Sequence, residues 1–304
     1  MAGADPFHPE LRRVARLLPR TLVTPLTARV FRRMPGSRRS SGADGVQTVR
    51  LPSGISVRVH RPPGDPPGRG TPGLLWIHGG GFVLGHPGMD DGLCRRLSRE
   101  LGATVAAVGY RLAPEHPYPV PLTDCYAALA WLAGHHAVDR TRIAVAGASA
   151  GGGLAAALAQ LAHDRAEIAL AAQILRYPML DDRSARRPDP HRRHRRMWSR
   201  QSNLFGWQSY LGDADPVTAV PARRDDLTGL PPAWIGVGTL DILHDEAVRY
   251  ASRLRRAGVR CELEVVPGAF HGFDAVAPKT SVAQRFHLSQ LEVLRRAFAI
   301  GDRH

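Results

Sequence analysis

The chain has 304 residues, 43% of them hydrophobic, enough for one large domain with a substantial core. Its formal net charge is +14, which would suit anionic esters or surfaces through long-range attraction. The charge is almost wholly arginine, with Lys279 the sole lysine, a pattern that reads as the codon bias of a GC-rich genome and not as a nucleic-acid surface.

In chain order, residues 11 to 34 carry apolar side chains in a helical rhythm, with Leu11, Val14, Leu17 and Leu18 followed by Val30, Phe31 and Met34. Pro19 and Pro25 divide the segment into short helices. Two readings of it stand open: an amphipathic segment lying on a membrane surface, or a cover over a binding pocket. Residues 35 to 45 read as a linker. Val46–Arg50 and Ile55–His60 read as an antiparallel pair turning at Pro52-Ser53-Gly54, and residues 62 to 72, rich in Gly and Pro, as an exposed loop.

Six further strands are expected at 74–77, 103–108, 142–146, 169–175, 233–237 and 260–266, with helical segments between them. Such alternation predicts a mostly parallel central sheet covered by helices on both faces. The strand at 74–77 runs into His78-Gly79-Gly80-Gly81-Phe82. Glycine lets backbone N–H groups approach a ligand oxygen unobstructed, and a tetrahedral intermediate requires such preorganised donors. The strand at 142–146 runs into Gly147-Ala148-Ser149-Ala150-Gly151, and a helix follows. Gly-x-Ser-x-Gly at a strand-to-helix turn is the nucleophile elbow, in which the residue after the serine and an HGGG-type loop supply the oxyanion donors. The expected donors are the N–H groups of Gly80, Gly81 and Ala150, and the expected nucleophile is Ser149.

An acid and then a histidine should follow the serine. Asp241 leaves the end of the strand at 233–237, and His271 lies on a loop after the strand at 260–266. They are the expected orienting acid and general base. Asp245 and Glu246 are rival acids, but their place one turn into the next helix favours capping or a solvated face; His244 reads as helix surface.

Between the sixth and seventh strands, Arg183, Arg186, Arg187, His191, Arg192, Arg193, His194, Arg195 and Arg196 form a basic run. Trp198, Phe205 and Trp207 follow in a helical stretch. Phosphate binding with base stacking is one reading. The arginines lack interleaved aromatics, which favours a solvated, mobile loop followed by an aromatic helix over the pocket.

Taken together, HGGGF, GASAGG, Tyr110-Arg111-Leu112-Ala113-Pro114-Glu115-His116-Pro117-Tyr118-Pro119, Leu175-Arg176-Tyr177-Pro178, the segment Asp241–Glu246 and His271-Gly272-Phe273 resemble the bacterial hormone-sensitive-lipase-like branch of the α/β-hydrolases over roughly residues 46 to 300. The resemblance implies an α/β-hydrolase fold with a helical cap made from residues 1–45 and 181–215, on a core of residues 46–180 and 216–304. It favours the cap reading of the N-terminal segment. It implies a carboxylesterase that attacks short-to-medium acyl esters through an acyl-enzyme, with Phe82 and Trp207 against the substrate and no cofactor or metal. An amidase, deacetylase or lactonase could use the same residues, and a non-catalytic small-ligand-binding protein is the further alternative, opposed by the presence of His271. Two positions depart from the family pattern. Ala148 replaces the usual acidic or hydroxylated residue, and Ile242 stands where proline is frequent.

Cys94, Cys125 and Cys261 are odd in number and widely spaced, which argues against a disulfide framework and for reduced thiols. Residues 1–10 lack the pattern of a signal peptide, and no apolar run has the length of a membrane span. The expected setting is the cytoplasm, with a small-molecule ester as partner, no nucleic acid, no stable membrane insertion, and a homodimer left open.

Overall fold

The computed structural model describes residues 5–33, 46–64, 68, 70–189 and 191–299. The expected linker at 35–45, and Met34 before it, lie outside the described residues. One eight-stranded sheet organises the molecule: β1 (Val46–Arg50), β2 (Ser56–His60), β3 (Thr71–Ile77), β4 (Thr104–Gly109), β5 (Val138–Ala148), β6 (Ala172–Arg176), β7 (Ala233–Gly238) and β8 (Cys261–Val266). The spatial order is β1-β2-β4-β3-β5-β6-β7-β8. The β1–β2 and β2–β4 pairs are antiparallel and the rest are parallel.

The helices are α1 (Arg12–Leu17), α2 (Pro25–Arg33), α3 (Asp91–Leu101), α4 (Val120–Ala133), α5 (Ala150–Arg165), α6 (Arg200–Leu211), α7 (Pro216–Ala219), α8 (His244–Arg256), α9 (Phe273–Val276) and α10 (Ser281–Ala299). α4, α5 and α8 cover one face, with Gln160 of α5 donating to the Tyr250 hydroxyl of α8 at 3.0 Å. α3 and α10 cover the other. Since both faces are covered, the central strands β3, β6 and β7 are buried at every residue and mostly apolar, with Thr71, Gln173 and Arg176 as buried polar members.

The strand order reverses at β3, whose neighbours are β4 on one side and β5 on the other. In open α/β sheets ligands bind beyond the carboxyl ends of the strands at such a switch point. Ile77, last in β3, pairs with Gly147 of β5, so the HGGGF loop and the Ser149 turn leave the sheet side by side.

Three strand starts shift by three or four residues, with β5 beginning at Val138 and not at 142. β3 begins at Thr71, inside the expected loop, because the β3–β5 register slips between Thr71 and Gly73 and places Pro72, which has no N–H to donate, at the irregularity. β6 begins at Ala172 and not at 169.

Residues 5–33 and the segment between β6 and β7 are joined by two main-chain hydrogen bonds and one from a serine hydroxyl. Met197 N–H donates to Pro19 O at 2.8 Å, Leu22 N–H to Met197 O at 3.2 Å, and Ser202 Oγ to Val23 O at 2.7 Å. The expectation of a solvated basic loop holds for Arg183, Arg186, His191, Arg192 and Arg193, which are exposed, but not for Arg187, Arg195 and Arg196. Arg195 is buried and forks onto Asp189, with Nη2 2.8 Å from Oδ1. Arg183 Nε donates to Asp181 Oδ1 at 2.7 Å. Arg196 donates to the Ala15 carbonyl and sets its guanidinium 4.8 Å from the Phe7 ring centroid. A guanidinium drawn out of water must find acceptors, and Asp181, Asp189 and the N-terminal carbonyls supply them.

Candidate active site

Ser149 sits at φ 57°, ψ −120°, between β5 and α5. That is a sparsely populated region for a side-chain-bearing residue, costing on the order of 1–3 kcal/mol, and it persists only where its surroundings enforce it. They do so through close backbone approach. A Cβ on Gly151 would lie 2.1 Å from Ile77 O, and one on Gly147 would lie 2.2 Å from Gly151 O. Ser149 N–H donates to Arg176 O at 2.9 Å, which ties the turn to the end of β6.

His271 follows β8 and a turn at Pro267-Gly268. Its Nδ1 lies 2.7 Å from Asp241 Oδ2, and its Nε2 3.0 Å from Ser149 Oγ. A carboxylate only accepts, so Nδ1 carries the proton and donates it to Asp241; Nε2 is then the acceptor, and the serine hydroxyl donates to it. Asp241 is itself fixed by accepting Leu243 N–H at 3.0 Å through Oδ1. All three residues are buried. A hydroxyl held against an imidazole whose far side is anchored by a carboxylate can lose its proton as its oxygen attacks.

The rival acids separate clearly. Asp245 is solvent-exposed, with its side chain 75% accessible and bonded to His244 Nδ1 at 2.8 Å. Glu246 does not lie on a solvated face as the sequence suggested. It is buried, and its Oε1 accepts Leu180 N–H at 2.7 Å and Asp181 N–H at 3.2 Å. Burial pushes its carboxyl up to about 8. Glu246 thus holds the start of the insertion and does not reach His271.

Gly80, Gly81 and Phe82 have φ of 116°, 62° and 67°, and the Val83 and Leu84 N–H groups close back onto Gly80 O. Among the described backbone hydrogen bonds none uses the N–H of Gly80, Gly81 or Ala150. His78 braces the loop from behind. Its Nδ1 donates to Gly79 O at 2.7 Å and its ring stacks on Tyr110 at 4.3 Å. Burial lowers its pKa to about 4, so it is neutral.

Phe82 is buried and stacks on Tyr210 at 4.2 Å, and Trp207 is buried 5.3 Å from Phe82. Two further aromatics come closer to the histidine: Trp198, expected over the pocket, and Tyr177, which the sequence did not single out. Trp198 lies 5.9 Å from the His271 ring and fills the space beside Gly81, where a Cβ would come within 2.3 Å of it. Tyr177 meets His271 edge-on at 4.8 Å. Their signals were a tryptophan ahead of α6 and a tyrosine directly after β6, and neither spacing encodes a contact with residue 271. Among the described residues no cluster of His, Cys, Asp and Glu is arranged to hold a metal ion, and no helix is long and apolar enough to cross a membrane.

A family model described as alpha/beta hydrolase fold matches residues 74–275. The chain is 38% identical over 252 residues to the esterase LipI of Mycobacterium tuberculosis (strain ATCC 25618 / H37Rv), covering 79% of this chain and 78% of that protein. It is 37% identical over 235 residues to the ethyl acetate hydrolase of Pseudomonas putida, covering 74% and 73% of the two. Among solved structures, a bacterial heroin esterase superposes with a TM-score of 0.84 at 37% identity, covering 96% of this chain and 98% of that one. The chain belongs to the α/β-hydrolase family. It is an enzyme of that family's esterase group, a serine hydrolase of carboxylic esters.

Proposed function

We propose that the chain cleaves short-to-medium acyl esters through an acyl-enzyme formed on Ser149. The observation that carries this reading is the continuous hydrogen-bond line from Ser149 Oγ through His271 to Asp241. Ser149 Oγ attacks the ester carbonyl while His271 Nε2 takes its proton, and Asp241 stabilises the imidazolium so formed. The carbonyl oxygen, now negative, is received by the N–H groups of Gly80, Gly81 and Ala150. His271 returns the proton to the leaving alcohol, then activates the water that releases the acid.

Residues 5–33 and 181–215 act as the cap, and its Trp198 and Trp207 form with Phe82 of the HGGGF loop an apolar wall on the substrate side. The preference for short acyl groups draws support from the relative named for ethyl acetate and from the tryptophan filling the space beside Gly81. Cys94, Cys125 and Cys261 are all free and buried, which suits a reducing cytoplasm. Specificity constants on neutral p-nitrophenyl esters of increasing acyl length test the substrate reading. A maximum at two to six carbons, roughly one methylene-sized fit per 1–3 kcal/mol, is expected; a maximum at long chains would overturn it.

A further inference from the structure

We propose that the buried ion pair between Arg176 and Asp274 is a positioning device that sets His271 against Ser149. The proposal rests on the catalytic reading above.

Arg176 ends β6, in register with Ala148 of β5. Its main chain already serves the nucleophile, since Arg176 O accepts the Ser149 N–H at 2.9 Å. Its side chain is buried, passes 5.6 Å from the Trp76 ring and 5.7 Å from Phe286, and contacts the Asp274 carboxylate. Asp274 lies three residues after His271, in α9. Tyr177, next along from Arg176, places its ring on His271. One residue therefore touches the nucleophile through its carbonyl and the turn carrying the base through its guanidinium.

Stability does not account for the pair. Buried ion pairs seldom outweigh their desolvation, and apolar replacements are often as stable or more so. This pair is also incompletely satisfied: Arg176 Nε and Asp274 Oδ1 are buried without a hydrogen-bond partner among the described residues. It stands at the edge of a cavity of about 380 Å³ whose walls include Ala148, Tyr177, Asp90 and His287. The small side chain at Ala148 leaves the space beside the elbow to Arg176.

The charged and titratable groups around the device come from every neighbouring element. Asp241 faces His271 from the turn after β7, Asp90 precedes α3 and accepts Trp76 Nε1 at 2.8 Å, and His287 lies on α10 bonded to Glu100 at 2.6 Å. Burial raises the Asp90 pKa and lowers that of His287. Arg176 and Asp274 form a charged pair at the turn that carries the base.

The test uses Asp274→Asn, Arg176→Met and the double variant, with turnover of a neutral short ester followed against pH and thermal unfolding followed alongside. The singles should lose about 10- to 100-fold in kcat, as a displacement near 1 Å does, with KM changed by less than about threefold. The acidic limb of kcat/KM should move in opposite directions: down in Asp274→Asn, where the cation is uncompensated, and up in Arg176→Met, where the carboxylate is. Each shift should be about half a unit or more. The double variant removes both charges, so its limb should return to the parent position while kcat stays low. It also keeps the test alive should a single variant fail to fold. Parent-like kcat and limb in a folded double variant would overturn the proposal and leave the pair merely structural. Labelling of Ser149 by a serine-directed phosphonate in the parent separates this outcome from failure of the catalytic reading, which would leave Ser149 unlabelled.

Discussion

At the scale of single residues, the placement of three carboxylates makes different demands on each. Asp241 holds the Nδ1 proton of His271, so Asp241→Asn presents an amide that reverses the tautomer preference. A loss of about 10⁴-fold in kcat is expected, the scale seen when a triad acid is so changed. Asp245→Asn, altering an exposed side chain, should stay within about twofold of the parent. Steady-state rates of both variants decide the order, and the reverse ranking would require a different acid. Glu246 tests burial instead. Its folded pKa, about 8, exceeds its ordinary value of 4.5, so the native state binds the proton more tightly than the unfolded chain. Its contribution is neutral below pH 4.5 and increasingly unfavourable as pH rises toward 8. Glu246→Gln keeps the carbonyl that accepts Leu180 and Asp181 N–H and removes the charge. Its unfolding free energy should match the parent's near pH 4 and exceed it by on the order of 2–4 kcal/mol at pH 8; a gain confined to acid pH would contradict this account.

At the scale of elements, the segments carrying chemistry were the most legible in sequence. HGGGF and GASAG follow apolar runs, and Gly80 and Gly147 are demanded by backbone approach within their own turns, a constraint that local sequence records, whereas Gly151 is demanded by the approach of Ile77 O from β3. The ends of β7 and β8 likewise announced Asp241 and His271. What was not legible depends on contacts between distant segments. Glu246 reads as helix surface until the insertion folds over it, and Arg195 and Arg196 read as solvated until Asp189 and the N-terminal turn supply acceptors. Trp198 meets Gly81 across more than a hundred residues of chain. These contacts redefine which arginines are dispensable. Arg192→Ser with Arg193→Ser, both exposed, should leave turnover of a neutral ester unchanged, since a neutral substrate gains nothing from steering. Trp198→Ala, opening space beside Gly81 and His271, should shift the ratio of specificity constants toward longer acyl chains by roughly 1–3 kcal/mol. An unchanged acyl profile would remove Trp198 from the substrate wall.

At the scale of the whole molecule, the parallel sheet brings residues 122 apart in sequence, Ser149 and His271, within hydrogen-bond reach. The same construction buries ionisable groups whose titration then couples to unfolding. His78 is held neutral, its pKa lowered to about 4 from 6.5. The unfolded chain therefore binds more protons across that interval, and stability should fall as pH drops from 6.5 toward 4, by up to about 3 kcal/mol from this residue. Urea unfolding followed over that range, in the parent and in His78→Gln, should show a shallower decline in the variant.

The proposed function stands or falls on transfer of the ester's acyl group to Ser149. The most direct test is the mass of the intact protein quenched during turnover of a p-nitrophenyl ester, followed by peptide mapping. An adduct of one acyl group on the peptide bearing Ser149 is predicted, growing with acyl chain length across the ester series and absent from Ser149→Ala. Turnover with no acyl adduct under conditions where deacylation is slowed, or an adduct that persists in Ser149→Ala, would contradict it.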